Sequence, residues 1–240
     1  MRTSYRLPLR PLRPQAGRAA QAGATMVEFA IVIPIALLLV LGIIQLGLMF
    51  SAKEVVNEAA FLAARAGAVQ NAQVAPMTAA MQKGLIPFYQ DTTTTDPAAR
   101  LLAALAAARQ DANFLTIQVL NPTPEAFQAF GTTSDASQGH RYIPNDNLEY
   151  RPHTPISGLS IQDANALRIQ VTYGYQLKVP LMQSVINAIM CGIGGGLNAF
   201  GANSGPGAGT ANDCTTYYSQ GRVPIVAYAT VQMQTPAWQQ

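Results

Sequence analysis

Gly23-Ala24-Thr25-Met26-Val27-Glu28-Phe29 opens a stretch that runs on as AIVIPIALLLVLGIIQLGLMF to Phe50 and then as a charged segment to Gly67. It divides the chain into a short basic head and a large polar body. From Phe29 to Phe50, 22 residues carry no charge. At about 1.5 Å of rise per residue, a helix of that length spans the roughly 30 Å hydrocarbon core of a bilayer, so the run predicts a transmembrane helix. Gln45 is its one polar side chain, an amide that needs a partner from a neighbouring helix or the interface. Pro34 removes the hydrogen bond to the Ala30 carbonyl and predicts a kink in the first third of the span.

The charge distribution sets the expected topology. Five arginines (Arg2, Arg6, Arg10, Arg13 and Arg18) and no acid precede Gly23, so the net charge of +3 arises in the head, and the remainder holds ten basic and twelve acidic residues. A nucleic-acid surface is therefore not indicated. By the positive-inside tendency the arginines hold the N-terminus in the cytoplasm and send the chain after Phe50 across the membrane. A cleaved secretory signal fits poorly, because the apolar run is longer than a typical signal core and no small-x-small site follows it. Charged residues make up only 11% of the chain, against about a quarter in soluble domains, which suits a body that packs against copies or partners.

Glu28 is a carboxylate set against the start of the apolar run, five positions after Gly23. Together with Glu28-Phe29-Ala30-Ile31-Val32-Ile33-Pro34, Gln45-Leu46-Gly47, Asn57-Glu58-Ala59-Ala60 and Ala63-Ala64-Arg65-Ala66-Gly67, it resembles the TadE-like pseudopilins of the tight-adherence (Flp-type) pilus system. The resemblance covers about 45 residues. It implies a processing site of Gly23, Ala24 and Glu28, which a prepilin peptidase cuts between Gly23 and Ala24, and it implies Glu28 as an assembly contact as well. It also implies membrane, other pseudopilins or pilins and the pilus assembly platform as partners, and a structural, non-enzymatic role as a minor pseudopilin. The alternative is an uncleaved, membrane-anchored periplasmic receptor or adhesin unrelated to pili.

The domains expected are a basic cytoplasmic leader over residues 1–23, a transmembrane and continuing helix over 24–69, and a periplasmic α/β domain over 70–240. The fold class expected is α+β and pilin-like, with helices packed on a mainly antiparallel sheet. Localisation would be the cytoplasmic membrane, single-pass, with the N-terminus inside and the body in the periplasm. Residues 1–22, rich in proline and arginine, predict an unstructured leader. After the span, Val55, Ala59, Leu62 and Ala66 fall on one helical face. Ala52, Val56, Ala60, Ala64 and Ala68, and separately Ala59, Ala63 and Gly67, form ridges of small residues. Such ridges fit either a second helix or the chain's own domain. Gly67 is a candidate left-handed cap.

Asp96-Pro97 predicts a helix start, with Ala98 to Ala112 as the helix. Pro76 to Lys83, Thr123 to Phe130 and Leu181 to Met190 predict shorter helices. Phe114 to Leu120 predicts a strand, and residues 131–160 a long ordered loop or weak hairpin. Leu167 to Val179 alternates without error, with Leu167, Ile169, Val171, Tyr173, Tyr175, Leu177 and Val179 on the buried face, and anchors the sheet. Arg222 to Gln234 predicts a second long strand, and Pro224 places its beginning at an edge.

Cys191 and Cys214 are the only cysteines, bracketing a segment with eight glycines, the Gly-rich loop 191–214. Outside the cytoplasm such a pair is most simply a disulfide, worth roughly 3 kcal/mol in the chain-entropy model. Two cysteines with the distant His140 and His153 do not compose a zinc site. Gly192-Ile193-Gly194-Gly195-Gly196 lacks the strand, lysine and acidic partner of a nucleotide cradle. No nucleophile-base pair or carboxylate pair is recognisable, so neither cofactor, metal, catalytic residue nor small-molecule substrate is expected.

Overall fold

A computed structural model describes residues 21–133, 139–156, 158–191 and 211–239. The first 20 residues of the expected leader, and most of the Gly-rich loop, lie outside the described residues. The chain forms two compact units, Met1–Ile43 and Ile44–Gln240. The fold is α+β. One helix, α1 (Gln21–Val69), runs through Pro34, and its segment Met26–Val69 is long and apolar enough to cross a membrane. Gly23 thus lies inside the helix rather than ahead of it.

The second unit is built on a three-stranded antiparallel sheet, β1 (Leu115–Asn121), β3 (Ala166–Gln176) and β4 (Arg222–Gln232), ordered β1-β3-β4. β3 is central because its apolar alternation is the longest in the chain. Leu167, Ile169, Val171, Tyr173 and Tyr175 are all buried, as the period-two pattern requires. Gln170 and Gly174 on the opposite face are buried too, so both faces are partly covered. β3 stops at Gln176, short of the expected Val179. Leu177 N–H turns instead to the Gly221 carbonyl, and Val179 N–H to the Gln45 side chain. β4 lies at the sheet edge, as Pro224 predicts, with Gly174 opposite Pro224. It stops at Gln232 because the Gln234 and Thr235 amides both reach the Ala68 carbonyl at the end of α1's buried stretch.

The second half of α1 covers the sheet. The buried residues after Gln45 are Ala52, Val56, Ala59, Ala60, Ala63, Ala64, Gly67 and Ala68, while Leu62 is exposed and Val55 and Ala66 are only half-buried. The face expected from Val55, Leu62 and Ala66 is therefore corrected. The helix buries its ridges of small residues, because these let backbone elements approach where a leucine would not. The ridges serve the chain's own domain. Gly67 is likewise corrected: it is not a left-handed cap, since α1 continues to Val69 and the left-handed residues are Asn71 and Ala72. A Cβ on Gly67 would lie 2.7 Å from Met77 Sδ and 2.8 Å from Leu167 Cδ2.

Helix α2 (Val74–Gly84) crosses α1 at Gly84, where a Cβ would lie 2.6 Å from Ala59 Cβ and 2.7 Å from Ala59 Cα. Helix α3 (Pro97–Gln110) starts where Asp96 accepts from the Ala98 and Ala99 amides, and α4 (Pro124–Phe130) is capped by Thr123. Such caps are worth about 1 kcal/mol each. The segment expected to be loop or weak hairpin holds β2 (Tyr142–Ile143), which pairs with β5 (Ala237–Trp238) in a separate two-stranded sheet. Two-residue strands are too short to leave a period in the sequence. A short helix, α5 (Ile161–Ala164), leads into β3. After β3 come α6 (Met182–Cys191) and α7 (Ala211–Thr216).

Gly84→Ala is expected to destabilise the body by about 1–3 kcal/mol, because the obstacle is the α1 backbone, which cannot rotate away. Gly67→Ala meets the flexible end of Met77 and should cost less. Chemical denaturation of the two variants in parallel checks the order, and an equal or reversed cost contradicts the packing described.

Candidate functional site

Gly23, Ala24 and Glu28 occur within the first two turns or so of α1, and Glu28 is exposed on a helix whose neighbours Met26, Val27 and Phe29 are exposed apolar side chains. Gly23 and Ala24 are five and four residues before Glu28, about one helical turn away. A carboxylate standing in an otherwise apolar, unpartnered surface calls for a cationic partner when that surface is desolvated. No such cation is within its own turn. The other predicted pair, Cys191 and Cys214, is a disulfide, with Cα atoms 5.7 Å apart, tying the end of α6 to α7.

The family model described as TadE-like protein matches residues 23–65. Residues 23–65 are a TadE-like segment. It begins at the predicted cleavage glycine and ends on the ridge of alanines that α1 buries. No curated protein and no solved structure matches the chain. The body after residue 65 is therefore characterised by its own geometry.

Within the body, α1 is held by polar contacts at two levels. Gln45, 1% exposed, accepts from the Val179 amide at 3.1 Å through Oε1, while its Nε2 has no hydrogen-bond partner among the described residues. Two turns on, Lys53 Nζ donates to the Val226 carbonyl on the outer edge of β4. The sequence marked Gln45 as an amide in search of a partner. It could not say that the partner is a backbone N–H 134 residues away.

A second polar cluster fixes the same end of the sheet and was invisible in the sequence. Arg222, the first residue of β4, makes a bidentate pair with Asp111, Nη1 to Oδ2 and Nη2 to Oδ1, each at 3.0 Å. Nη1 also donates to the Gly174 carbonyl, and the guanidinium lies 3.8 Å from the Phe114 ring centroid. Tyr89 donates to Asp111 Oδ2 at 2.6 Å. Its oxygen then accepts from the Tyr173 hydroxyl at 2.7 Å, because an ionised carboxylate offers no proton and Tyr89 has only one to give. Phe88 stacks on Tyr173 at 5.8 Å. Burial, and next the bond to Asp111, push the Tyr89 hydroxyl far above its usual range, and burial raises Tyr173 and Tyr175 as well. A largely buried tyrosine-aspartate-arginine cluster whose polar atoms are spent on one another is a structural clasp.

Two expectations follow. Gln45→Leu leaves the Val179 amide buried without an acceptor, at a cost of about 1–3 kcal/mol. In detergent-solubilised protein, hydrogen exchange at Val179 should accelerate more than exchange in the middle of β3, and unchanged protection there contradicts the role given to Gln45. The tyrosines give a pH dependence. Unfolded, Tyr89 and Tyr173 ionise near pH about 10, whereas folded they keep their protons, so their contribution is whole below that pH and falls as pH rises above it. The thermal midpoint should drop above pH about 10, and less steeply in Tyr89→Phe.

Proposed function

We propose that the chain is a minor pseudopilin acting in assembly of a tight-adherence, Flp-type pilus, a structural and non-enzymatic role. The observation that carries this reading is the TadE-like match at residues 23–65, placed on one helix with Glu28 exposed among apolar side chains. In this reading residues 1–23 are a cytoplasmic leader, a prepilin peptidase cuts after Gly23, and α1 from Ala24 crosses the inner membrane once. The body, residues 70–240 with the Gly-rich loop 191–214, then stands in the periplasm, and the disulfide between Cys191 and Cys214 suits that oxidising compartment. Its partners are the peptidase, other pseudopilins or pilins, and the assembly platform.

The chemistry assigns separate work to the two ends of the cleavage segment. A glycine before the cut presents no side chain to the peptidase, so a bulky residue at Gly23 blocks processing. Cutting before Ala24 creates an α-amino group that is largely protonated near neutral pH. Glu28 of one subunit then pairs with that amine on an incoming subunit, in a medium where the attraction is strong and where either charge alone is penalised.

Glu28→Gln should leave membrane insertion and processing intact and abolish piliation. The readouts are surface pili and adhesion in a strain carrying only that allele. An immunoblot establishes that the protein is present and membrane-bound, and N-terminal sequencing that it begins at Ala24. Normal piliation with Glu28→Gln would discard the pairing mechanism. An intact leader on the membrane form, with normal piliation in the absence of the protein, would discard the pseudopilin reading in favour of a plain membrane anchor.

A further inference from the structure

The apolar run that crosses the membrane does not end where the body begins. It overlaps it. Gln45 is the first fully buried residue of α1 among those described, yet uncharged sequence continues to Phe50. From Met26 to Ile44 is 19 residues, or about 28 Å of helix, and from Glu28 it is 17 residues, or about 26 Å, short of a hydrocarbon core of roughly 30 Å. The remainder must come from residues 45–50, and the body is already packed against those. Whatever the body places beside Gln45–Phe50 therefore lies at the depth of the bilayer boundary.

What it places there is apolar. The Gln45 bond fixes Val179 at this level, and Val179-Pro180-Leu181 leads into α6 with no Asp, Glu, Lys or Arg from Val179 to Cys191. Leu181 has φ 66° and is 60% exposed. Its carbonyl accepts from the Val185 amide, so Leu181, Val185 and Ile189 recur at steps of four along α6, with Leu181 and Ile189 exposed and Val185 half-buried. Gln183 of α6 packs on Gly221, which holds α6 to the turn that starts β4. From that turn, β4 supplies residues 223–226, Val-Pro-Ile-Val, as one wall of an apolar groove of about 310 Å³. The other wall is Leu46, Met49 and Phe50, with Lys53 at the end farther along the helix. Phe50 is 72% exposed. Three elements thus converge on one apolar, solvent-facing base flanked by Lys53 and Lys178.

We propose that this base is a membrane-seating surface. Leu181 and the apolar stripe of α6 lie in the headgroup-hydrocarbon boundary, and the groove between α1 and β4 takes a phospholipid acyl chain. Lys178, exposed beside Val179, can carry its ammonium group to phosphate while its stem remains in apolar surroundings, and Lys53, with its ammonium on the Val226 carbonyl, closes the far end of the groove with positive charge. An interfacial amphipathic helix without charge on its buried side is the arrangement that lipid, rather than water, stabilises. Lipid is favoured over a second copy of the chain because the groove opens off the membrane-crossing run itself and carries lysine at the end away from it. The proposal rests on the reading of α1 as a membrane span. It adds that the base of the body, and not α1 alone, meets lipid.

The test uses the full chain reconstituted into vesicles of phosphatidylethanolamine and phosphatidylglycerol, doped with a phospholipid carrying a photoactivatable group on its acyl chain. After irradiation, reduction and trypsin digestion, label is mapped by mass spectrometry. The peptide ending at Lys53 reports the span, residues 179–191 report α6, and the peptide starting at Val223 reports β4. Label in all three is the expected result, with Leu181→Asp lowering label in residues 179–191 several-fold while the span peptide is unchanged. Label confined to the span peptide overturns the seating and leaves the span intact. No label in the span peptide overturns the membrane reading itself. Chain-to-chain crosslinks through residues 223–226 in place of lipid label overturn the lipid assignment in favour of a second copy.

Discussion

Close approach between α1 and the elements it covers sets the geometry of the body. Gly67 touches Met77 and Leu167, and Gly84 touches the α1 backbone at Ala59, so neither contact accommodates another carbon atom without a shift. Helix and central strand run antiparallel over the full length of the sheet. Gln45 lies beside Val179 at one end, and Gly67 beside Leu167 at the other. The intervening lengths agree, at about 33 Å of helix from Gln45 to Gly67 and about 30 Å of strand from Leu167 to Gln176, where β3 ends. An alanine-rich face is required for this, since larger side chains would hold the helix off the sheet and separate both ends at once.

Polar groups then fix what apolar packing leaves free to slide. Alanine ridges are nearly featureless along the helix axis, and a shift by one turn would bury similar side chains. Gln45 to Val179, Lys53 to Val226, and the Ala68 carbonyl to Gln234 and Thr235 occur at three levels along the helix and cannot all be satisfied after such a shift. The Asp111-Arg222-Tyr89-Tyr173 cluster performs the same task across the sheet, joining the chain before β1 to the starts and ends of β4 and β3. Breaking one member of such a cluster strands the others in a poorly hydrated site, which is why its removal costs more than its net contribution.

The internal use of the alanine ridges means that the outward face of α1, with Phe61, Leu62, Arg65 and Val69, is the one left for contacts outside the body. Arg65 lies over the Phe61 ring at 5.9 Å, so that face offers a charge and an aromatic together. The second half of α1 thus has two surfaces, small residues inward and larger ones outward.

The sequence by itself determined the membrane-length helix, the family of residues 23–65, the alternation of β3, the edge position of β4, the helix start at Asp96, and the disulfide partners. Each of these is written in local terms: a run length, a period of two, a proline where no N–H is needed, or the only two cysteines in the chain. The α+β class followed from the same signals. The tertiary structure alone decided which face of the continuing helix is buried. Val55, Leu62 and Ala66 satisfied the apolar period, but distance to the sheet favoured the alanines. It also decided where β3 and β4 end, because their last amides are claimed by Gln45, Gly221 and Ala68 rather than by a strand. Asp111 with Arg222, and β2 with β5, were unreadable for one physical reason. Their partners are brought together only by the packing of elements far apart in the chain, and nothing in a local window records that meeting.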